Sequence, residues 1–117
     1  MRILDDILRV AIVSSQGRQI DLRFGGTDQL LIFDVRNDAI EFVESRDVPF
    51  WSRAAEESEE FDLVDLAVKA IRDCHVVVAR DIGPCVQEQL DARGILLLEM
   101  ACSLASGLVT VRGLLAA

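Results

Sequence analysis

The chain has 117 residues, 51% of them apolar, and a formal net charge of −8. This length and apolar content predict a single domain with one hydrophobic core, and they argue against intrinsic disorder. The acidic balance argues against a nucleic-acid partner, because phosphate backbones are bound by clustered cations. The three cysteines lack C-x-x-C spacing, which argues against a zinc knuckle or a disulfide framework. Asp5 and Asp6 stand where a signal peptide needs an apolar core, so a reducing, cytoplasmic compartment is favoured.

Strand-like patterns dominate the first part of the chain. Residues 1–8 are expected to form an N-terminal extension, which leaves residues 9–117 as the domain. Residues 9–15, RVAIVSS, form an almost continuous apolar run that is typical of a central strand buried on both faces. Shorter or alternating apolar runs predict three more strands. These are a minor strand at 18–22 and full strands at 30–36 and 40–46.

Helical and strand-like segments alternate in the second part. Residues 47–60 contain a proline, adjacent aromatics and four glutamates, and they are expected to form a long loop. The predicted elements that follow are a helix at 61–73, a strand at 75–80, a helix from 84 to 93, a strand at 95–98 and a helix at 103–115. Pro84 is well placed as the first residue of its helix, and Gly94 as the residue just past its end.

The order of these elements predicts an α/β fold with one mixed sheet. Strands joined by helices pair in parallel through right-handed crossovers, whereas strands joined by hairpins pair antiparallel. The strand within residues 10–14 is therefore expected at the centre of the sheet, beside and parallel to residues 76–79.

The last segment, from Met100 to Ala117, has Arg112 as its only charged residue. Serines, glycines and a threonine interrupt it, and it has little length to spare for crossing a bilayer. A helix packed on the domain is therefore favoured over a membrane span, and an interface helix is the second interpretation. The oligomeric state stays open, with a homo-oligomer among the alternatives.

Three segments in order carry a family signature: VAIVSS…GRQIDLRFGG, LLIFDV…IEFVESRDVP and IRDCHVVVARDIGPCVQEQLDARGI. Over residues 9–99 the chain resembles the dinitrogenase iron–molybdenum cofactor-binding family, of the NifX and NafY type, which is also the C-terminal domain of NifB. The resemblance implies a ribonuclease H-like α/β fold, a mixed five-stranded sheet with helices on its faces. It also implies a carrier, and not an enzyme. Such a carrier binds the iron–molybdenum cofactor or an iron–sulfur precursor and exchanges it with nitrogenase cofactor-assembly proteins.

The paired-glycine loop is the first candidate site that the resemblance implies. Its residues are Arg23, Phe24, Gly25 and Gly26. The family typically has histidine directly before the Phe-Gly pair, where this chain has Arg23. Arginine cannot donate a lone pair to iron, but its N–H groups can bind the sulfides and carboxylates of an anionic cluster. The alternative is a structural turn whose glycines accept positive φ and whose phenylalanine packs in the core.

Other candidates follow predicted strands. Ser14 and Ser15 end the first strand, at the edge where ligands of open α/β sheets gather, although serines also simply end strands. Gly83 and Pro84 open a helix whose backbone N–H groups suit an anion. Cys85, in its first turn, is the favoured metal ligand because the helix dipole favours the thiolate; the alternative is a buried, inert cysteine. The candidate metal ligands are therefore Cys85 and, second, His75, for which a hydrogen-bonded structural role is the alternative.

Two other function classes remain in view. One is a diverged protein–protein interaction or regulatory domain that has lost cluster binding, which Arg23 and the apolar last helix would suit. The other is a nuclease, because the fold family includes them. Nucleases of that fold need clustered carboxylates for metal ions, beginning with an acid on the first strand, and RVAIVSS has none. The acidic chain is therefore expected neither to bind nor to cut nucleic acid.

Overall fold

A computed structural model of the protein describes residues 7–15, 17–21, 29–47, 69–82 and 84–116, with the backbone alone for 84–86 and 116. The described residues form a mixed five-stranded sheet in the order β3-β2-β1-β4-β5, which confirms the predicted α/β class. The strands are β1 (Ile7–Ile12), β2 (Gln29–Arg36), β3 (Ile40–Asp47), β4 (Val76–Ala79) and β5 (Leu96–Glu99). The helices are α1 (Pro84–Ala92) and α2 (Leu104–Ala116).

β1 is the central strand, as its apolar run predicts. It pairs antiparallel with β2 and parallel with β4, so that Val10 lies opposite Phe33 on one side and Val76 on the other. The parallel ladder continues past the end of β1, because the backbone N–H of Val13 donates to the carbonyl of Val78 at 3.1 Å. The predicted parallel pairing of these two segments is therefore confirmed.

The boundaries of the first two predicted strands differ from the structure. β1 begins at Ile7, and Leu8 is only 1% exposed, so the last residues of the expected extension belong to the core. The minor strand expected at 18–22 is wrong within the described residues 17–21, which make only an isolated bridge between Gln19 and Ser103. The backbone N–H of Ile20 donates to Cys102, so this segment bonds to the chain before α2 and not to a neighbouring full strand.

Alternating side chains of the sheet supply two hydrophobic clusters, one on each face. On one face, Ala11 and Val77 pack with Leu90 of α1. On the other face, Val10 and Val78 pack with Leu108 of α2. Helices on both faces therefore bury the inner strands from both sides, as the near-continuous apolar runs of β1 and β4 require.

β3 is an edge strand, and most of its side chains are exposed. Phe42 is 58% exposed and meets Phe33 edge-to-face, with ring centroids 5.4 Å apart. The β2–β3 register shifts so that Ile32 pairs with Glu44 but Phe33 pairs with Phe42, which leaves Val43 as the extra residue of a bulge. The predicted strand is confirmed, but Phe42 and Val43 are both exposed, so its apolar residues do not form a buried face.

The helix ends follow their local sequence. After α1, Gly94 has a φ of +73°, and its N–H donates to Asp91 at 3.1 Å, so it ends the helix as predicted. Before α2, the Ser103 hydroxyl accepts the N–H of Ser106 at 3.1 Å and caps the helix. A Cβ on Gly107 would collide with Ile20 Cδ1, so glycine allows α2 to approach the segment after β1.

Of the helix predicted at 61–73, residues 69 and 70 are helical and a turn follows at 71–73. The rest of that helix and residues 48–60 of the predicted loop lie outside the described residues. Within the described ranges, no helix has the length and apolar character needed to cross a membrane.

Candidate functional site

The segments that follow β1 and β4 meet at one side of the sheet. Because the two strands are parallel neighbours, their carboxyl ends point the same way. Arg80, directly after β4, donates from Nη1 to the carbonyl of Asp21 at 3.3 Å. We call this side the carboxyl edge, formed by residues 13–15 and 17–21 after β1 and residues 80–82 and 84–86 after β4.

Ser14 holds the turn at the end of β1. Its side chain is part of a residue only 7% exposed, and its Oγ donates to the carbonyl of Gln19 at 2.5 Å. The same oxygen accepts the N–H of Gly17 at 2.9 Å, where a φ of +76° suits glycine. Ser14 therefore lies at the carboxyl edge, as predicted, but its hydrogen bonds are made to its own turn.

Ser15 binds the carboxylate of Asp21. Its backbone N–H donates to Oδ1 at 2.9 Å, and its hydroxyl donates to Oδ2 at 2.5 Å. These bonds, the hydroxyl first, hold the pKa of Asp21 below its ordinary value. This pair of residues joins the start of the turn after β1 to its end. The predicted loop that begins at Arg23 follows Asp21 by two residues in the chain.

Arg80 carries positive charge at this edge on a half-exposed side chain, at 52%. Besides the carbonyl of Asp21, its guanidinium lies 3.8 Å from the carboxylate of Asp81. Both contacts are long for hydrogen bonds to a guanidinium, which offers five N–H donors. Neither Arg80 nor Asp21 is a predicted site residue. The signal that could have found them is their position directly after, or one turn beyond, predicted parallel strands.

The remaining candidates at the carboxyl edge are only partly described. α1 begins at Pro84, directly beyond the edge of the sheet, as its sequence predicts. Gly83 and the side chains of Pro84 and Cys85 lie outside the described residues. The loop residues Arg23, Phe24, Gly25 and Gly26 also lie outside them. Their roles in binding therefore stay predictions.

His75 lies at the other end of β4. Its ring Nδ1 accepts the backbone N–H of Arg9 at 2.9 Å, and the backbone N–H of His75 donates to the Arg9 carbonyl at 2.7 Å. Arg80 follows it by five residue steps along an extended strand, a span of roughly 17 Å at about 3.3 Å per residue. The structure therefore does not bring His75 to the carboxyl edge, and its bonds fit the structural alternative.

A network of ion pairs surrounds the start of β4. We call this the amino edge, formed by Arg9, Asp34, Arg46 and residues 73–75. Asp73 accepts from Arg46 at 2.7 and 2.6 Å and from Arg9 at 3.2 Å, and Arg9 also binds Asp34 with two bonds of 2.9 and 3.1 Å. The Arg46 bonds come first among the causes that hold the pKa of Asp73 well below its ordinary range.

The cysteine of this network is a poor metal ligand. Burial, aided by the charge of Asp73, raises the pKa of Cys74 to about 12, so the thiol stays protonated at neutral pH. Across the described residues, no three histidine, cysteine, aspartate or glutamate side chains come together to hold a metal ion. The predicted packing role of Cys74 agrees with its 4% exposure.

Comparison with known proteins identifies a family over most of the chain. The family model described as dinitrogenase iron-molybdenum cofactor matches residues 6–108. Over 88 residues the chain is 28% identical to the FeMo cofactor biosynthesis protein NifB of Herbaspirillum seropedicae. That match covers 75% of this chain but only 16% of the length of NifB.

Solved structures share the fold. The crystal structure of PH0822 superposes with a TM-score of 0.67 and 21% identity, covering 91% of each chain. A candidate dinitrogenase from Methanocaldococcus jannaschii gives a TM-score of 0.55 and 11% identity, covering 91% of this chain and 88% of that one. At these identities the two likenesses concern the fold alone.

Proposed function

This chain belongs to the dinitrogenase iron–molybdenum cofactor family, and we propose that it binds the cofactor, or an iron–sulfur precursor of it, as cargo at the carboxyl edge. The observation that carries the proposal is the contact of Arg80 with the Asp21 carbonyl. This contact joins the segment leading to the Arg23 loop with the segment leading to α1. The Arg23 loop and the start of α1, which are far apart in sequence, therefore both leave the sheet close to this contact.

Chain geometry keeps the candidate groups near that place. Arg23 follows Asp21 by two residues, so its Cα stays within about 7 Å of the Cα of Asp21. Cys85 follows Ile82 by three residues, which limits the corresponding distance to about 11 Å. Ile82 itself is buried at 7% exposure, so the entry to α1 is anchored in the core.

The proposed division of labour follows from the chemistry of each group. Backbone N–H groups at the start of α1, beside Gly83 and Pro84, suit the negative charge of a cluster. Arg23 supplies charge and hydrogen bonds where relatives supply a histidine ligand, and Phe24, Gly25 and Gly26 let the loop approach the cargo. Cys85 supplies the bond to iron, because a thiolate in the first turn of a helix is favoured. His75 is left out of this set because of its place at the amino edge.

Carriage, without a chemical step, is the proposed role. NifB is a FeMo cofactor biosynthesis protein, and this chain corresponds to a small part of it. The proposed partners are accordingly nitrogenase cofactor-assembly proteins that load and unload the cargo. The three cysteines lack C-x-x-C spacing, which suits a reducing, cytoplasmic setting for such an exchange.

The test is an anaerobic titration of the protein with isolated iron–molybdenum cofactor, followed by absorption and by the metal retained after desalting. The parent should bind about one cofactor per chain. Arg23→Ala should weaken binding by about 1.5–3 kcal/mol, the value of a charge-assisted hydrogen bond. Cys85→Ala should lose more and change the absorption of the bound cluster.

Cys74→Ala is the matched control, because it removes a thiol at the amino edge. It should bind like the parent once folding is verified by circular dichroism. Equal binding by all four proteins would place the site elsewhere, and no binding by the parent would overturn the proposal.

In that last case the diverged interaction domain becomes the better function. The exposed apolar side chains of the edge strand β3, Phe42 at 58% and Val43 at 38%, favour it as the second candidate. Its test is a pull-down with nitrogenase assembly proteins comparing the parent with Phe42→Ser. Capture that depends on Phe42 but not on added cofactor would support this second function.

A further inference from the structure

The carboxyl edge presents an electrostatic problem for an anionic cargo. The chain has a net charge of −8, and two carboxylates, Asp21 and Asp81, lie at this edge. A metal–sulfur cluster that carries negative charge is repelled by such a surface unless a local cation offsets it. Arg80 is the cation that the structure places between the segments after β1 and β4.

The position of Arg80 is fixed by the buried centre of the sheet. It directly follows Val78 and Ala79, which are fully buried in β4. The carbonyl of Ala79 accepts the N–H of Met100 at 3.0 Å, so the end of the strand is also held from the β5 side. A side chain that starts from this place reaches the edge without ordering a loop, which limits the entropy lost on binding.

The contacts of Arg80 leave donors for a ligand. Nη1 donates to a backbone carbonyl at 3.3 Å, and the nearest approach to Asp81 is 3.8 Å from Nη2. A guanidinium carries five N–H groups in a planar fork that matches the spacing of oxygen or sulfur atoms in an anion. With 52% of the side chain exposed, the fork is open to an incoming molecule.

We propose that Arg80 is a cargo-binding residue, whose guanidinium binds an anionic metal–sulfur species between the segments that follow β1 and β4. The inference rests on the proposed function and adds that the site selects cargo that is negatively charged. In the proposed site Arg80 adds a second positive charge to that of Arg23, beside the bond to iron from Cys85.

The experiment uses tetrathiomolybdate, a coloured molybdenum–sulfur dianion, as the probe beside isolated iron–molybdenum cofactor. Parent, Arg80→Gln and Arg80→Lys are titrated anaerobically with each, at low and high salt. Arg80→Gln should weaken binding of both by about tenfold, the lower part of the range for charge-assisted hydrogen bonds. Arg80→Lys should bind with an affinity between those of the parent and Arg80→Gln, because it keeps the charge but loses the planar fork of N–H groups. Raising the salt should reduce the difference between parent and Arg80→Gln.

Arg93→Gln is the matched control. It removes the same charge from an exposed arginine beyond the far end of α1, where Arg93 binds Gln89 at 2.9 Å. It should bind both probes like the parent. Equal losses of affinity in Arg80→Gln and Arg93→Gln would show that only the net charge of the protein matters, and this would overturn the proposal.

Two further outcomes separate this inference from the proposed function. If the parent and Arg80→Gln bind cofactor equally, Arg80 is not a cargo-binding residue, while the carrier function stands. If the parent binds neither probe, both proposals fall. Melting temperatures of all variants, measured without cargo, should stay close to that of the parent, since Arg80 is half exposed.

Discussion

Arginines and aspartates lie at both the amino edge and the carboxyl edge, but the distance from each arginine to its aspartate differs. At the amino edge, Arg46 lies 2.6 Å from Asp73, and its side chain is only 19% exposed. At the carboxyl edge, Arg80 lies 3.8 Å from Asp81 and is 52% exposed. The first arginine is committed to joining β3 to the segment before β4, whereas the second has donors to spare. A charged residue near a sheet edge is thus available to a ligand only where the fold does not already use it.

The largest effect expected from this comparison is on stability at the amino edge. Asp73→Ala leaves Arg46 partly buried without its closest partner, and it also removes a bond of Arg9. We expect the free energy of unfolding to fall by about 2 kcal/mol, less than for a fully buried pair because Asp73 is 40% exposed. Urea denaturation followed by circular dichroism measures it.

Asp81→Ala is the control at the carboxyl edge. Its ion pair with Arg80 is long and exposed, so loss of this pair itself should cost less than about 0.5 kcal/mol, well below the cost of losing the Asp73 pairs. Equal losses of unfolding free energy in the two variants would show that the shorter distances at the amino edge do not make its ion pairs more stabilising.

A second, smaller effect is expected in the pH dependence of stability. The pKa of Asp73 is lowered in the folded state, so its contribution is fully present above the unfolded value of about 3.9 and is lost as pH falls toward the folded value. The parent should therefore lose its advantage over Asp73→Asn as pH falls below about 4. Urea midpoints of both proteins between pH 7 and pH 3 measure this. A constant difference between them would contradict the ion-pair interpretation.

The smallest effect concerns the closure of the segment after β1. Ser15→Ala removes the hydroxyl donor to Asp21 but keeps the backbone bond. The free energy of unfolding should fall only slightly, less than for Asp73→Ala, because both groups are exposed. Amide hydrogen exchange at Ser15 should nevertheless speed up, since its N–H bonds to the same carboxylate. Ser15→Thr, which keeps the hydroxyl, is the control and should exchange like the parent.

Much of the fold follows from apolar patterns that are local in sequence. The runs VAIV and VVVA predict β1 and β4 as buried parallel neighbours, and Pro84 and Gly94 predict the ends of α1. The exposure of Phe42 is not predictable in this way. It depends on β3 standing at the edge of the sheet and on a register shift within it, both of which are set by pairing between strands.

The candidate site was only partly predictable for the same reason. Ser14 and Ser15 are found from the end of an apolar run, but their bonds to Gln19 and Asp21 depend on the course of the turn that follows. Arg80 meets Asp21 across 59 positions of sequence. Such a meeting needs the parallel register of β1 and β4, which periodicity alone does not give.

The bond at His75 has a consequence for where the ring carries its proton. Because Nδ1 accepts the N–H of Arg9, the neutral imidazole must be the tautomer with hydrogen on Nε2. The lone pair of Nδ1 is thus already used, and Nε2 has none to give until its hydrogen leaves. A metal ion could bind this ring only by displacing the backbone of β1 or by forcing a tautomer exchange. Nitrogen-15 chemical shifts of the ring should accordingly show a protonated Nε2 at neutral pH, with or without added cofactor.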